Sequence, residues 1–211
     1  MFAPVNEHQN TSCLIEPHYL PCIQYLTLFF QYDHVFIEKH EHYQKGSYRN
    51  RCYIGSSSGR QLLSVPLLKG KHQQMPITDV RIAYHTAWYA QHWHAIETAY
   101  GKAPFFEHYQ DAIREILYGR FELLYELNMT ILRWLINEIR PPGELRETAD
   151  YEMNMPPPFA DLRNSITPSA SFSIEKYNQV FMDRTDFIEN LSVLDLLMHL
   201  GPEAYGYLIP A

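Results

Sequence analysis

Cysteine is scarce in this chain and wrongly spaced for chemistry: Cys13, Cys22 and Cys52 form no CxxC pair. An odd, sparse set excludes a disulfide framework and suits a reducing compartment, so a cytoplasmic protein is expected. Basic charge is also short. Seventeen Lys and Arg against 24 Asp and Glu leave a net charge of −7. That argues against a general nucleic-acid binder, which needs a positive surface to displace counterions from phosphates. No apolar run approaches the roughly 18 residues of a membrane span, and Met1–Asn10 lacks the basic and apolar regions of a signal peptide. Nucleotide and nucleophile fingerprints are missing as well: no GxGxxG, no GxxxxGK[ST], no GxSxG and no HExxH. Charged residues make up 19%, below the common figure of about 25%.

What is present is apolar and aromatic. Hydrophobic residues reach 46%, with 16 Tyr and 11 Phe, which excludes a disordered chain. A chain of 211 residues can bury roughly 70% of its unfolded surface and needs no disulfide or metal staple. No internal repeat points to a solenoid. The expectation is a single domain over 1–211. Its parts are a strand-rich segment at 11–82, a helical one at 86–140, an ordered loop at 144–173 and a closing segment at 174–211.

Two short apolar runs, Ser12–Glu16 and His34–Glu38, flank a helical stretch from Pro21 to Gln31. That spacing predicts a compact βαβ unit with parallel strands, and Pro21 suits a first helical position. Arg49–Ile54 and Gln61–Leu67 flank a Gly-Ser-rich turn and read as a hairpin; Asp79–Ala83 reads as one more strand. Three apolar stripes follow at helical spacing: Tyr89, Trp93, Ile96 and Tyr100; Phe106, Tyr109, Ile113 and Ile116; then Leu124, Leu127, Ile131, Leu135 and Ile139. Pro156-Pro157-Pro158 interrupts an aperiodic segment, and Leu191–Leu200 forms a last apolar helix. The fold class expected is α/β: a small, mostly parallel Rossmann-like sheet with an added hairpin, packed against the middle helices and the C-terminal helix.

Candidate chemistry gathers at a few places. Glu16-Pro17-His18-Tyr19-Leu20-Pro21 falls beyond the first strand, where ligands of open parallel sheets bind. Either Glu16 or His18 is a general base on a preorganised turn, or both are solvated on a rigid connection. In Lys45-x-x-x-Arg49-Asn50-Arg51, an extended backbone would put Arg49 and Arg51 on one face. With Lys45 they would grip a phosphate or carboxylate, or else pair with the nearby Glu38 and Glu41. Asp195, on the apolar stripe of the last helix, must find a cation or several donors, or close a capping box with Ser192. Tyr19 and Trp88 offer an aromatic face to a sugar or base, or simply pack. The eleven histidines include His92 and His94, which point about 200° apart on a helix, and His40 and His42, which fall in a polar turn. No metal and no cofactor is expected. Cys22 and Cys52 are nucleophile candidates only if a base lies beside them; otherwise all three thiols are small buried hydrophobes.

In order along the chain, Tyr19-Leu20-Pro21, Arg49-Asn50-Arg51, Trp88 to Tyr100 with Ala103-Pro104-Phe105-Phe106, and Asn190-Leu191-Ser192-x-Leu194-Asp195-Leu196-Leu197 with Gly201-Pro202-Glu203 resemble the WbqC-like family. The resemblance runs over about residues 12–203. Tyr43-Gln44-Lys45 and Asp161-Leu162-Arg163 are similar to its shorter branch, common in Bacteroidetes. Many members open with His-Gln-Pro-x-Tyr-Leu-Pro-Trp, where this chain has Ile15, Glu16 and Cys22 in place of His, Gln and Trp; His18 would then substitute for the missing histidine. The resemblance implies a bacterial role in O-antigen or other surface-polysaccharide synthesis. The reaction it implies is transfer of an acyl or aminoacyl group, such as glycyl, to the amine of a nucleotide-linked amino sugar.

The reading taken from these residues is group transfer to an amine on an anionic small molecule, a nucleotide sugar or phosphorylated metabolite. Glu16 or His18 would be the base, Lys45, Arg49, Asn50 and Arg51 would hold the anion, and Tyr19, Trp88 and Asp195 would line the substrate. It requires the charged members of this set to gather at one pocket, and scattering would defeat it. The alternative is a non-catalytic protein that binds an anionic metabolite or a partner; a structural role in a membrane-associated complex is a third reading. The oligomeric state stays open.

Overall fold

A computed structural model describes residues 12–69, 75–151, 153 and 159–210. The readings of Met1–Asn10 and of Pro156-Pro157-Pro158 lie outside the described residues. In chain order the elements are β1 (Ser12–Ile15), α1 (Ile23–Gln31), β2 (His34–Ile37), β3 (Arg51–Ser56), β4 (Gly59–Ser64), α2 (Trp88–Tyr100), α3 (Phe106–Tyr118), α4 (Leu124–Ile139), β5 (Glu144–Glu147), β6 (Phe159–Asp161), α5 (Val193–Leu200) and α6 (Ala204–Leu208). Over the described residues the architecture is α/β, with one four-stranded sheet and one separate hairpin.

The sheet is wholly parallel and ordered β5-β2-β1-β6. Counting only its own strands along the chain, that order is 3-2-1-4, the arrangement that opens doubly wound nucleotide-binding sheets. The chain therefore reverses direction across the sheet between β1 and β6. Strand β1 lies in the middle and is buried along its whole length, as a parallel strand covered on both faces must be. Helix α1 carries the predicted crossover from β1 to β2, though it begins at Ile23 with Cys22 at its N-cap, two residues beyond Pro21. The cap is remote: Asn190 Oδ1 accepts from the Gln24 N–H at 3.0 Å.

The segment expected to be a loop over 144–173 instead supplies both outer strands. Gly143 makes the first possible. Its N–H donates to the Phe29 carbonyl at 2.8 Å, and a Cβ there would stand 2.5 Å from the Tyr32 carbonyl oxygen. The end of α1 and the start of β5 thus meet backbone to backbone, which aims Glu144 alongside β2.

The three middle helices follow their predicted stripes. Trp93, Ile96, Tyr100, Phe106, Tyr109, Ile113 and the α4 series are buried, while Tyr89 and Ile116 are half-buried. The hairpin differs from expectation by two residues, turning at Ser57-Ser58. Its first strand starts two residues later than expected, and Arg49 falls in a single 3-10 turn, Tyr48–Asn50, capped by Ser47, rather than on β3. The strand expected at Asp79–Ala83 is a 3-10 turn, Ile77–Asp79, followed by isolated bridges from Arg81 to Leu123 and from Ile82 to Leu67. Helix α5 is buried from Val193 to His199 and docks on the hairpin through the Ser192 N–H, which donates to Tyr53 O at 2.7 Å. Among the described residues no helix is long and apolar enough to cross a membrane.

Candidate active site at the carboxyl edge of the parallel sheet

Each strand of the parallel sheet is followed within three residues by a polar group, and these groups meet. Glu16 follows β1, Glu38 follows β2, Thr148 follows β5, and Arg163 and Asn164 follow β6. Glu41 and Arg49 join them from the connection after β2. All of this lies at the carboxyl ends of the strands, and Glu16 with Asn164 marks the topological switch point where open α/β sheets hold ligands.

Glu16, His18 and Arg49 are at most 2% exposed. His18 Nε2 lies 3.1 Å from Glu16 Oε1. Burial, with the Arg49 charge nearby, pushes the imidazole below its ordinary pKa against the pull of Glu16, so the ring is neutral at pH 7. A carboxylate only accepts; Nε2 therefore carries the proton and Nδ1 presents its lone pair. That lone pair is buried and, among the described residues, has no hydrogen-bond partner. The rings of Tyr25 and Tyr48 hold the imidazole at centroid distances of 4.5 and 5.2 Å.

The Glu16 carboxylate is fixed at both oxygens, because Oε2 accepts the Asn164 N–H at 2.8 Å. Burial alone would raise its pKa. The hydrogen bond from His18, the Arg49 charge and the Asn164 N–H outweigh that and hold the carboxyl well below the usual range. Arg49 grips Glu41 with two bonds, Nε to Oε1 at 2.7 Å and Nη2 to Oε2 at 2.5 Å. Nη2 also donates to Asn164 Oδ1 at 3.0 Å. Nη1 makes no hydrogen bond among the described residues and stands 3.6 Å from Glu16 Oε1. Burial, aided by the charges of Glu16 and Glu38, pushes the Glu41 carboxyl up to about 7 despite Arg49. Glu38 accepts from the Thr148 hydroxyl at 2.8 Å and from Arg163 Nη1 at 3.3 Å, and Arg163 is itself clamped by Asp161.

Of the residues expected from sequence, Glu16, His18 and Arg49 come together; Lys45, Arg51 and Asp195 do not join them, so the gathering at one pocket that the transfer reading required is met by half of the charged set and not by the other half. Lys45 is exposed, and Arg51 is half-buried at the start of β3. The shared strand face proposed for Arg49 and Arg51 does not exist, because Ser47 Oγ accepts the Arg49 N–H and turns the backbone there. Asn50 is engaged at both ends of its amide, with Oδ1 taking the Tyr43 hydroxyl at 2.9 Å and Nδ2 donating to Val65 O at 2.9 Å. Tyr19 and Trp88 are 0% and 2% exposed and so present no open aromatic face. Both rings border His92, whose Nδ1 lies 2.8 Å from the Tyr19 hydroxyl.

Asp195 sits in a second buried polar group. Its Oδ2 accepts from Tyr177 at 2.5 Å and from Gln179 Nε2 at 2.9 Å. Neither an arginine nor a capping box satisfies it, and burial raises its pKa above the ordinary value. Cys13, Cys22 and Cys52 are buried free thiols. Among the described residues no three His, Cys, Asp or Glu side chains converge as metal ligands would. Sequence reasoning passed over Thr148 and Asn164 and had Glu38 and Glu41 only as ion-pair partners; for Glu38, its place directly after a strand was the available signal.

The sequence model of the WbqC-like protein family matches residues 16–155. An uncharacterised protein of Mycobacterium tuberculosis, Rv1507c, is 27% identical over 224 aligned residues, covering 92% of this chain and 96% of its own. No solved structure matches.

Proposed function

This chain belongs to the WbqC-like protein family, and we propose that it transfers an acyl or aminoacyl group to the amine of a nucleotide-linked or phosphorylated amino sugar, with His18 as general base. The observation that carries this reading is the His18 imidazole at the switch point: neutral, its Nε2–H held by a carboxylate, its Nδ1 lone pair without a partner among the described residues. An amine becomes an amide only by losing a proton as the C–N bond forms. His18 Nδ1 takes that proton and returns it to the leaving group of the acyl donor. Glu16 is too acidic to be the base; it orients the ring and stabilises the imidazolium. Arg49 Nη1 is the remaining donor for a carbonyl oxygen. The family's association with surface-polysaccharide synthesis supports a cytoplasmic site of action, where nucleotide-linked sugars are made.

The test is turnover. The chain is incubated with nucleotide-linked amino sugars and acyl or aminoacyl donors, and products are read by mass. H18Q should lose about a hundredfold or more in rate, the usual contribution of a positioned base, with its melting temperature retained. A wild-type rate in H18Q refutes the assignment. A rise in melting temperature with the same compounds and no product formed would instead point to non-catalytic binding.

A further inference from the structure

Asn164 is marked by no motif and lies beyond the residues that the family model matches, yet it touches both charged partners of the site. Its N–H donates to Glu16 Oε2 at 2.8 Å, and its Oδ1 accepts from Arg49 Nη2 at 3.0 Å. It does so at φ +61°, in the left-handed region that Gly enters freely, Asn with some ease, and β-branched residues hardly at all. The chain on both sides is pinned. The Leu162 N–H donates to Leu14 O at 2.8 Å, continuing the β1–β6 ladder. Arg163 is held by Asp161 at 2.9 and 2.6 Å and by Glu38 at 3.3 Å. The left-handed residue is thereby delivered against Glu16 by the sheet itself.

A carboxylate bonded at one oxygen still swings about its last torsion; bonded at both, its plane is set. Glu16 Oε1 faces His18 Nε2 while Oε2 receives the Asn164 N–H. We propose that Asn164 is a positioning residue whose left-handed backbone locks the Glu16 carboxylate and, through it, holds His18 as the Nε2–H tautomer. Its catalytic meaning rests on His18 being the base. Its physical content, the tautomer, does not.

Two variants separate backbone from side chain. N164G keeps the left-handed conformation and the N–H but removes Oδ1. N164V opposes the conformation and withdraws the N–H; N164A does so more gently, at about 1 kcal/mol, and serves if N164V fails to fold. The readout is 15N NMR of histidine-labelled full chain, with the His18 signals assigned by their loss in H18Q. Wild type should show an unprotonated Nδ1 and a protonated Nε2. N164G should match its tautomer pattern, whereas N164V or N164A should show mixed tautomers and a lower kcat at unchanged KM. A wild-type tautomer pattern in N164V, or an equal disturbance in N164G, overturns the proposal. Because the spectrum needs no substrate, a tautomer change in a chain without turnover sinks the transferase reading and leaves the role of Asn164 standing.

Discussion

Replacing Arg49 with Met probes the buried charge network most directly. Met fills much of the same volume without a charge, and its flexible stem adapts to the site. The guanidinium it removes makes two hydrogen bonds to Glu41 and one to Asn164 and stands 3.6 Å from Glu16. Glu16 and Glu41, 1% and 4% exposed, would then face each other without a cation. Stripping one partner from a buried ion pair costs about 3–5 kcal/mol. The loss should depend on pH with a defined sign. Glu41 is already pushed up to about 7 by burial and by its acidic neighbours, and without Arg49 it rises further. Above pH 7 the folded variant therefore keeps a proton that folded wild type has released. The variant loses stability relative to wild type by up to about 1.4 kcal/mol per pH unit until its own Glu41 ionises. Urea denaturation of wild type, R49M and R49M/E41Q at pH 6 and pH 8 measures this. R49M should be weaker at both pH values and distinctly weaker at pH 8. The double variant should lose that extra pH dependence, because a Gln amide binds no proton. A loss under about 1 kcal/mol, equal at the two pH values, would refute the buried pair as a stabilising contact.

Two motif residues should be structural rather than functional. Gly201 has φ +54°, and a Cβ there would stand 2.5 Å from the Phe105 ring. G201A should therefore cost about 2–4 kcal/mol in thermal or urea melts, and F105A/G201A should cost less than the sum of its parts; additive losses would show that the ring contact is not the cause. N190G keeps the left-handed backbone at position 190, where φ is +50°, but removes the Oδ1 that caps α1 at the Gln24 N–H. A loss of about 1 kcal/mol is expected from leaving that part-buried N–H without its acceptor, and no change in melting would show that α1 needs no such cap.

How much of this was legible depends on where the hydrogen bonds of each element go. Strands β1 and β2 announce themselves because a parallel strand covered on both faces reads as an apolar run, and the α1 crossover between them has a recognisable length. Strand β5 is Glu144-Leu145-Arg146-Glu147, three charged residues in four. Nothing local favours it; its pairing with β2 does. Strand β6 has three residues and exists because β1 has a free edge. Position 49 failed for a smaller reason. Ser47 Oγ accepts the Arg49 N–H and turns the backbone over Tyr48–Asn50, so the strand starts at Arg51 and Arg49 is a core guanidinium rather than one on a strand face. Glu16 and Glu38 were recoverable from the rule that functional groups follow parallel strands. Asn164 was not, since its role lies in a backbone angle and in a neighbour 148 positions away along the chain.

The charge balance at the strand ends changes what the site suits. An arginine-rich strand face would favour phosphate. The observed cluster instead sets the four carboxyl groups of Glu16, Glu38, Glu41 and Asp161 against the two guanidiniums of Arg49 and Arg163. A phosphate placed there would meet more negative charge than positive, and both guanidiniums are already engaged with carboxylates. An amine meets the opposite situation. It binds as the ammonium ion, which an excess of carboxylates favours; it releases one proton to solvent before attack and a second as the C–N bond forms. The group placed to take that second proton is the His18 imidazole, whose Nδ1 has no hydrogen-bond partner among the described residues. The acidic surroundings therefore strengthen the amine half of the proposal. Under the proposed function the anionic half of the substrate would have to lie outside this cluster, and the exposed Lys45 and half-buried Arg51 are the basic residues the sequence offers for it. On this reasoning K45A and R51A should raise KM for a phosphorylated acceptor and leave kcat nearly unchanged, whereas H18Q should lower kcat; a kcat loss in K45A equal to that of H18Q would contradict the division.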